Sequence, residues 1–143
     1  MRHQKKRYLK VILVFASMIA VLLAFTSLEY TRKVPDTGRM QASFHLTAEE
    51  LVKDFVDEES RATEKYSGSV LNVYGMIDKI EANEEGYTLF LKSTSSQTFV
   101  MCQFGQENAK DIEPLKEGML ITVKGVCSGY LMDIVLDRCV IQE

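Results

Sequence analysis

Cys102, Cys127 and Cys139 are the side chains best suited to covalent chemistry in this chain. A cysteine nucleophile needs a base such as histidine within hydrogen-bond reach. The two histidines are His3, ahead of a long apolar run, and His45, between that run and the folded region. No Cys–His enzyme is expected from that placement, and no catalytic residues are assigned. The cysteine spacings fit no C-x-x-C redox or zinc pattern. An odd number leaves two arrangements open: three buried thiols serving as small apolar residues, or one disulfide and one free thiol.

The carboxylates form no obvious set. Asp57, Glu58 and Glu59 are adjacent on a predicted helix, so they point in different directions and read as a solvated face. Asn83-Glu84-Glu85-Gly86 lacks the spaced oxygen ligands of a calcium loop and reads as a turn. There is no glycine-rich phosphate loop. No metal and no cofactor are expected. Binding by aromatic stacking needs exposed rings in a basic groove. Tyr87, Phe90, Phe99 and Tyr130 are the candidate ligand-binding residues, but only Lys92 lies near the first three and tryptophan is absent. Packing inside the fold is the competing role for all four, and Tyr74 is ambiguous in the same way.

The elements that must position these residues begin after the amino-terminal segment. Arg2, Lys5, Lys6, Arg7 and Lys10 crowd the start, and Val11 to Leu28 carries no charge. About 18 uncharged apolar residues suffice for a candidate spanning helix. The expectation is a short cytoplasmic basic segment (1–7), a transmembrane signal anchor (8–28) with the positive flank inside, a linker (29–45) broken by Pro35 and Gly38, and an exported domain (46–143). A cleaved signal peptide is the alternative, although the run exceeds the usual apolar core of about 7–15 residues. The small residues near Ala24, Thr26 and Ser27 are interrupted by Phe25 and Leu28. No cysteine follows the run to carry a lipid. The expected location is the bacterial cytoplasmic membrane, single-pass, with the carboxy-terminal domain outside.

Residues 46–143 suffice for one compact domain. They hold 9 Lys and Arg against 18 Asp and Glu, a net of −9, while the whole chain is at −3. Such a surface repels phosphate backbones, which disfavours nucleic acid as a partner.

Within the domain, residues 47–66 are predicted as one amphipathic helix. Thr47 and Glu50 form a capping box, flanked by Leu46 and Leu51. Leu51, Val52, Phe55, Val56, Ala62 and Tyr66 make its apolar stripe, and Gly68 is placed for a left-handed cap. The period then changes to two. Strands are predicted over 69–82, 87–93, 97–104, 119–127 and 131–141, with a short polar helix at 106–113. Gly75 and a phase slip after Ile77 predict a bend or bulge in the first. Five strands with a helical connection between the third and fourth is the layout of an OB barrel.

The stretch 46–141 resembles the tRNA_anti-like OB-fold family, small exported or membrane-anchored domains that are mostly bacterial. The residues that carry the resemblance are Leu51 and Tyr66-Ser67-Gly68, Val73 to Ile77, Val100 to Phe104, Leu115 to Gly118, Val123 to Gly129 and Asp133 to Cys139. The resemblance implies a mainly β (α+β) fold, a five-stranded OB-fold barrel preceded by an amphipathic helix and an N-terminal transmembrane helix. It implies no particular activity. In such a barrel the third and fifth strands lie side by side, which brings Cys102 and Cys139 toward disulfide range and leaves Cys127 farther away. The function expected is a non-catalytic, membrane-anchored binding or interaction module for an envelope protein or other envelope component. The alternatives are an oligosaccharide or single-strand nucleic-acid binder using the OB face and, less favoured, a thiol-redox protein.

Overall fold

The computed structural model describes residues 15–21 and 37–142. The chain divides into two units, 1–35 and 36–143. Of the first, residues 15–21 are helical, with Phe15, Met18, Ile19 and Val21 exposed. The remainder of the expected anchor over 8–28 lies outside the described residues, among which no helix is long and apolar enough to cross a membrane.

The second unit is a closed barrel with a helical cap. In chain order it contains β1 (Phe44–Thr47), α1 (Ala48–Asp57), α2 (Glu59–Tyr66), β2 (Val70–Ala82), β3 (Gly86–Lys92), β4 (Phe99–Gly105), a 3-10 turn leading into α3 (Ala109–Ile112), β5 (Leu120–Tyr130) and β6 (Ile134–Gln142). The sheet order is β1-β2-β3-β4-β6-β5, and β5 returns to pair with β2, closing five strands. The β4–β6 pairing is parallel and the other barrel pairings are antiparallel.

The long first strand serves two neighbours because it bends. Residues Val70–Met76 pair with β5 and Met76–Ala82 with β3, with a register shift between Ile77 and Lys79 where the phase of the sequence slips. Gly75 sits at the crossing of α1. A Cβ there would lie 3.0 Å from the Ala48 Cβ and 3.2 Å from the Leu91 Cβ. The alternation in each strand turns Leu71, Val73, Ile77, Leu89, Leu91, Val100, Cys102, Val123, Cys127, Ile134 and Leu136 into one core.

The helical cap departs from expectation. Thr47 Oγ1 accepts from the Glu50 N–H at 3.1 Å and Glu50 Oε2 accepts from the Thr47 N–H at 2.8 Å, completing the capping box. The single helix predicted over 47–66 is instead two, broken at Glu58, whose backbone is extended (φ −152°, ψ 77°). No side chain between Val56 and Arg61 is buried, so nothing pins that turn to the barrel and the chain bends there. The Tyr66 hydroxyl donates to Asp54 across the break at 2.6 Å. Gly68 follows at φ +76°, as its placement suggested.

The predicted linker also needs correction. From Thr37 onward it is part of the fold: Thr37 is buried, Lys124 Nζ donates to the Gly38 carbonyl at 3.2 Å, and Phe44–Thr47 runs parallel to β2. Residues 29–36 lie outside the described residues. The last two strands differ in extent. Ser128-Gly129-Tyr130, predicted as their junction, is still β5, and the turn is 131–133. β5 reaches that far by two register shifts against β6.

Candidate functional site

Each barrel strand presents one face to the core and one to solvent. Leu89 and Leu91 of β3, and Val100, Cys102 and Phe104 of β4, point inward. Their neighbours Thr88, Phe90 and Lys92, and Phe99, Met101 and Gln103, therefore line the outside. The ladder registers assemble these into rows. Leu120 faces Met76, which faces Lys92, which faces Phe99. Beside it, Lys79 faces Phe90, which faces Met101, which faces Val135. The result is a partly exposed, largely apolar strip whose two rows cross four strands each and together draw on all five strands of the barrel. Leu131 and Met132, at 89% and 82% exposure, project from the β5–β6 turn. That turn is tied to the strip's edge by Asp133 Oδ1, which accepts from the Phe99 N–H at 2.8 Å.

Two cations lie on the strip, and both are matched by carboxylates. Lys79 is paired with Glu81, and its ammonium lies 5.9 Å from the Phe90 ring centroid. Lys92 is 4.0 Å from Asp78. The surface is apolar and locally neutral.

Of the four aromatic candidates, the structure brings two together. Phe90 and Phe99 meet edge to face with centroids 6.1 Å apart. Tyr87 belongs to the inward row of β3 and packs against the core, so it does not join the strip. Tyr130 also packs against the core, its ring 5.5 Å from that of Phe55. Sequence reasoning missed Met76, Met101, Leu120, Val135, Leu131 and Met132. The signal was present in β3 and β4, where apolar residues occupy both phases of the alternation.

The loop between β3 and β4 is clamped to α1. Glu49 Oε2 accepts from the Thr94 N–H at 2.6 Å, the Ser93 hydroxyl at 2.9 Å and the Thr94 hydroxyl at 3.0 Å. Hydrogen bonding from Ser95, Thr94 and Ser93 lowers the Glu49 carboxyl to about 2.

All three cysteines are buried free thiols. Burial pushes both Cys127 and Cys139 upward, and Cys139 is raised further by its hydrogen bond with the neighbouring Cys102. Such thiols are poor nucleophiles. Among the described residues, no group of three or more His, Cys, Asp or Glu could hold a metal ion. The carboxylates at the α1–α2 break are paired internally: Asp54 with Lys65, Asp57 with Lys53, Glu58 with Arg61.

The tRNA_anti-like family model matches residues 1–141. No curated protein sequence matches the chain. Among solved structures, the fold is similar to that of a Klebsiella pneumoniae lipoprotein described as a candidate nucleic acid-binding protein (TM-score 0.59, 19% identity, covering 74% of this chain and 94% of that one). Weaker likenesses are to the yeast Stn1 and Ten1 structure (TM-score 0.46, 11% identity, 73% and 65% covered) and to the S. pombe Stn1–Ten1 complex (TM-score 0.42, 15% identity, 52% and 58% covered).

Proposed function

The chain belongs to the tRNA_anti-like family, and on that premise we propose that its OB barrel is a non-catalytic binding module, held at the outer surface of the bacterial cytoplasmic membrane by residues 8–28 and docking a protein or other envelope component on the strip around Phe90 and Phe99. The carrying observation is that these two rings face out of the barrel, on the strand pair that OB folds use for ligands. Apolar side chains gathered on one outer face mark interaction surfaces more often than solvent-facing residues do. Tethering in the membrane plane raises the effective concentration for a neighbour, which suits modest affinity. Burial keeps the Cys127 and Cys139 thiols protonated, which supports a role in binding.

The same face supports a second reading as an oligosaccharide or single-strand nucleic-acid site. Lys79 over the Phe90 ring, with Thr88 and Gln103 alongside, offers both stacking and hydrogen bonding. Polyanions are less favoured than neutral glycans, because Lys79 and Lys92 are each offset by a carboxylate and residues 46–143 carry a net of −9.

Crosslinking of the tagged full-length protein in intact cells, followed by mass spectrometry, tests the proposal. A specific envelope protein, lost when residues 37–143 are replaced by an unrelated domain, is the expected result. No protein partner, together with retention on immobilised glycans or on single-stranded DNA, would shift the function to the second reading.

A further inference from the structure

Cys102 and Cys139 are 0% and 1% exposed in the core and converge on Leu136, which stands in register with Cys102 and whose carbonyl accepts from the Cys139 thiol at 3.3 Å. Three local features place Cys139 there. Between Lys124↔Val140 and Val126↔Asp137, β5 has one residue, Gly125, where β6 has two, Arg138 and Cys139. Arg138 adopts the left-handed region at φ +53°, which a non-glycine residue enters only when its surroundings impose it. Gly125 leaves the space that the sulfur occupies, since a Cβ at that position would lie 2.6 Å from the Cys139 Sγ. The bulge and the missing side chain together turn Cys139 into the core instead of leaving it in regular register.

The seam it faces is the shortest in the barrel. The parallel β4–β6 ladder has three registered pairs, Val100↔Ile134, Met101↔Val135 and Cys102↔Leu136, whereas β3–β4 has seven. Met101 and Val135 are also members of the outer strip, so this seam carries part of the proposed binding face. The two thiols make weak S–H contacts, Cys139 to the Leu136 carbonyl at 3.3 Å and Cys102 to the Val100 carbonyl at 3.8 Å, and the Gln103 backbone N–H of β4 donates to Cys139.

We infer that Cys102 and Cys139 are a disulfide-forming pair that staples β4 to β6 beneath the binding strip, with Cys127 remaining a free thiol. The reaction is thiol–disulfide exchange with a disulfide-bearing oxidant. One thiolate attacks the oxidant's S–S bond and releases a thiol. The second thiolate then attacks the resulting mixed disulfide and releases the other. The pair gives up two electrons and two protons, and the oxidant is reduced to two thiols. In the cell this rests on the extracytoplasmic placement proposed above, where disulfides persist. The pairing itself does not, and the experiment supplies the oxidant.

The full chain, purified in detergent, is refolded in glutathione buffers running from fully reduced to mostly glutathione disulfide. It is then denatured, alkylated without reductant and mapped by peptide mass spectrometry. The expected oxidised product has one alkylated site, Cys127, and a Cys102–Cys139 crosslinked peptide. Its melting temperature should exceed that of the reduced form by roughly 10 °C, and Cys127→Ala should retain that difference. Three alkylated cysteines at every glutathione ratio would overturn the inference. So would a bridge that includes Cys127, stable mixed disulfides with glutathione, or a crosslink with no change in melting temperature.

Discussion

Phe90 and Phe99 stand edge to face on the outside of the barrel, their planes at 90° and their ring centroids 6.1 Å apart. They sit diagonally across the β3–β4 ladder, whose direct partners are Phe90 with Met101 and Lys92 with Phe99. Aromatic pairs of this kind contribute about 0.5–1.5 kcal/mol beyond area burial. Both rings stay partly exposed on the outer face, so each returns less to folding than a fully buried ring would.

Truncating them should therefore cost little stability. Phe90→Ala or Phe99→Ala is expected to lower unfolding free energy by about 1–2 kcal/mol, against about 2–5 kcal/mol for Leu91→Ala, which removes a fully buried side chain between them in register. Urea denaturation of the three variants measures this. Equal losses would mean that the rings are structural.

The β3–β4 loop should respond to acid. The Glu49 carboxyl is held at about 2, below its ordinary 4.5, by hydrogen bonds from Ser95, Thr94 and Ser93. A depressed carboxyl contributes stability above its unfolded value, and that contribution is lost as pH falls toward the folded one. The Thr94 amide should thus lose protection from hydrogen exchange between about pH 4.5 and pH 2. Glu49→Gln should show reduced protection at neutral pH and a flat pH dependence over that window. Unchanged protection in the variant would show that the clamp holds nothing.

Gly75 should be sensitive to the smallest possible addition. Gly75→Ala places a methyl group 3.0 Å from the Ala48 Cβ and 3.2 Å from the Leu91 Cβ. Because both obstacles are β-carbons fixed to backbone, relief requires α1 to shift off β2. Overpacking of this kind costs about 1–3 kcal/mol, measurable as a lower urea midpoint. A neutral result would indicate that α1 is loosely seated.

The capping box makes a smaller, local demand. Thr47→Ala removes the acceptor for the Glu50 N–H and should cost about 1 kcal/mol. Thr47→Asn should restore most of it, and the pair can be compared by thermal unfolding.

The barrel was legible because its strands obey period two and its breaks carry glycine. Leu71, Val73 and Ile77 share a face, and the slip after Ile77 is the observed register shift. Three things were hidden. β1 is four residues paired in parallel to a strand more than twenty residues away, and nothing within Phe44–Thr47 announces such a partner. The break at Glu58 comes from a turn that packs against nothing, an absence that helical periodicity does not register. The outer strip was half legible. Phe90 and Phe99 were identifiable as candidates, but their separation from Tyr87 depends on strand phase, and Met76, Val135 and Leu120 join them only once the ladders are in register. The Cys102–Cys139 contact followed from the barrel's strand order, whereas the bulge that aims Cys139 did not.

The most direct test of the outer-strip site is position-resolved photocrosslinking in intact cells. A benzophenone amino acid would be placed singly at Phe90, Phe99, Gln103 and Met132 on or beside the strip, and at Glu64 and Lys110 away from it. Crosslinks to one partner from the first group, and none from the second, are expected. Equal crosslinking from Glu64 and Lys110, or none from Phe90 and Phe99 while the helical face reacts, would contradict a binding site on the outer face of β3 and β4.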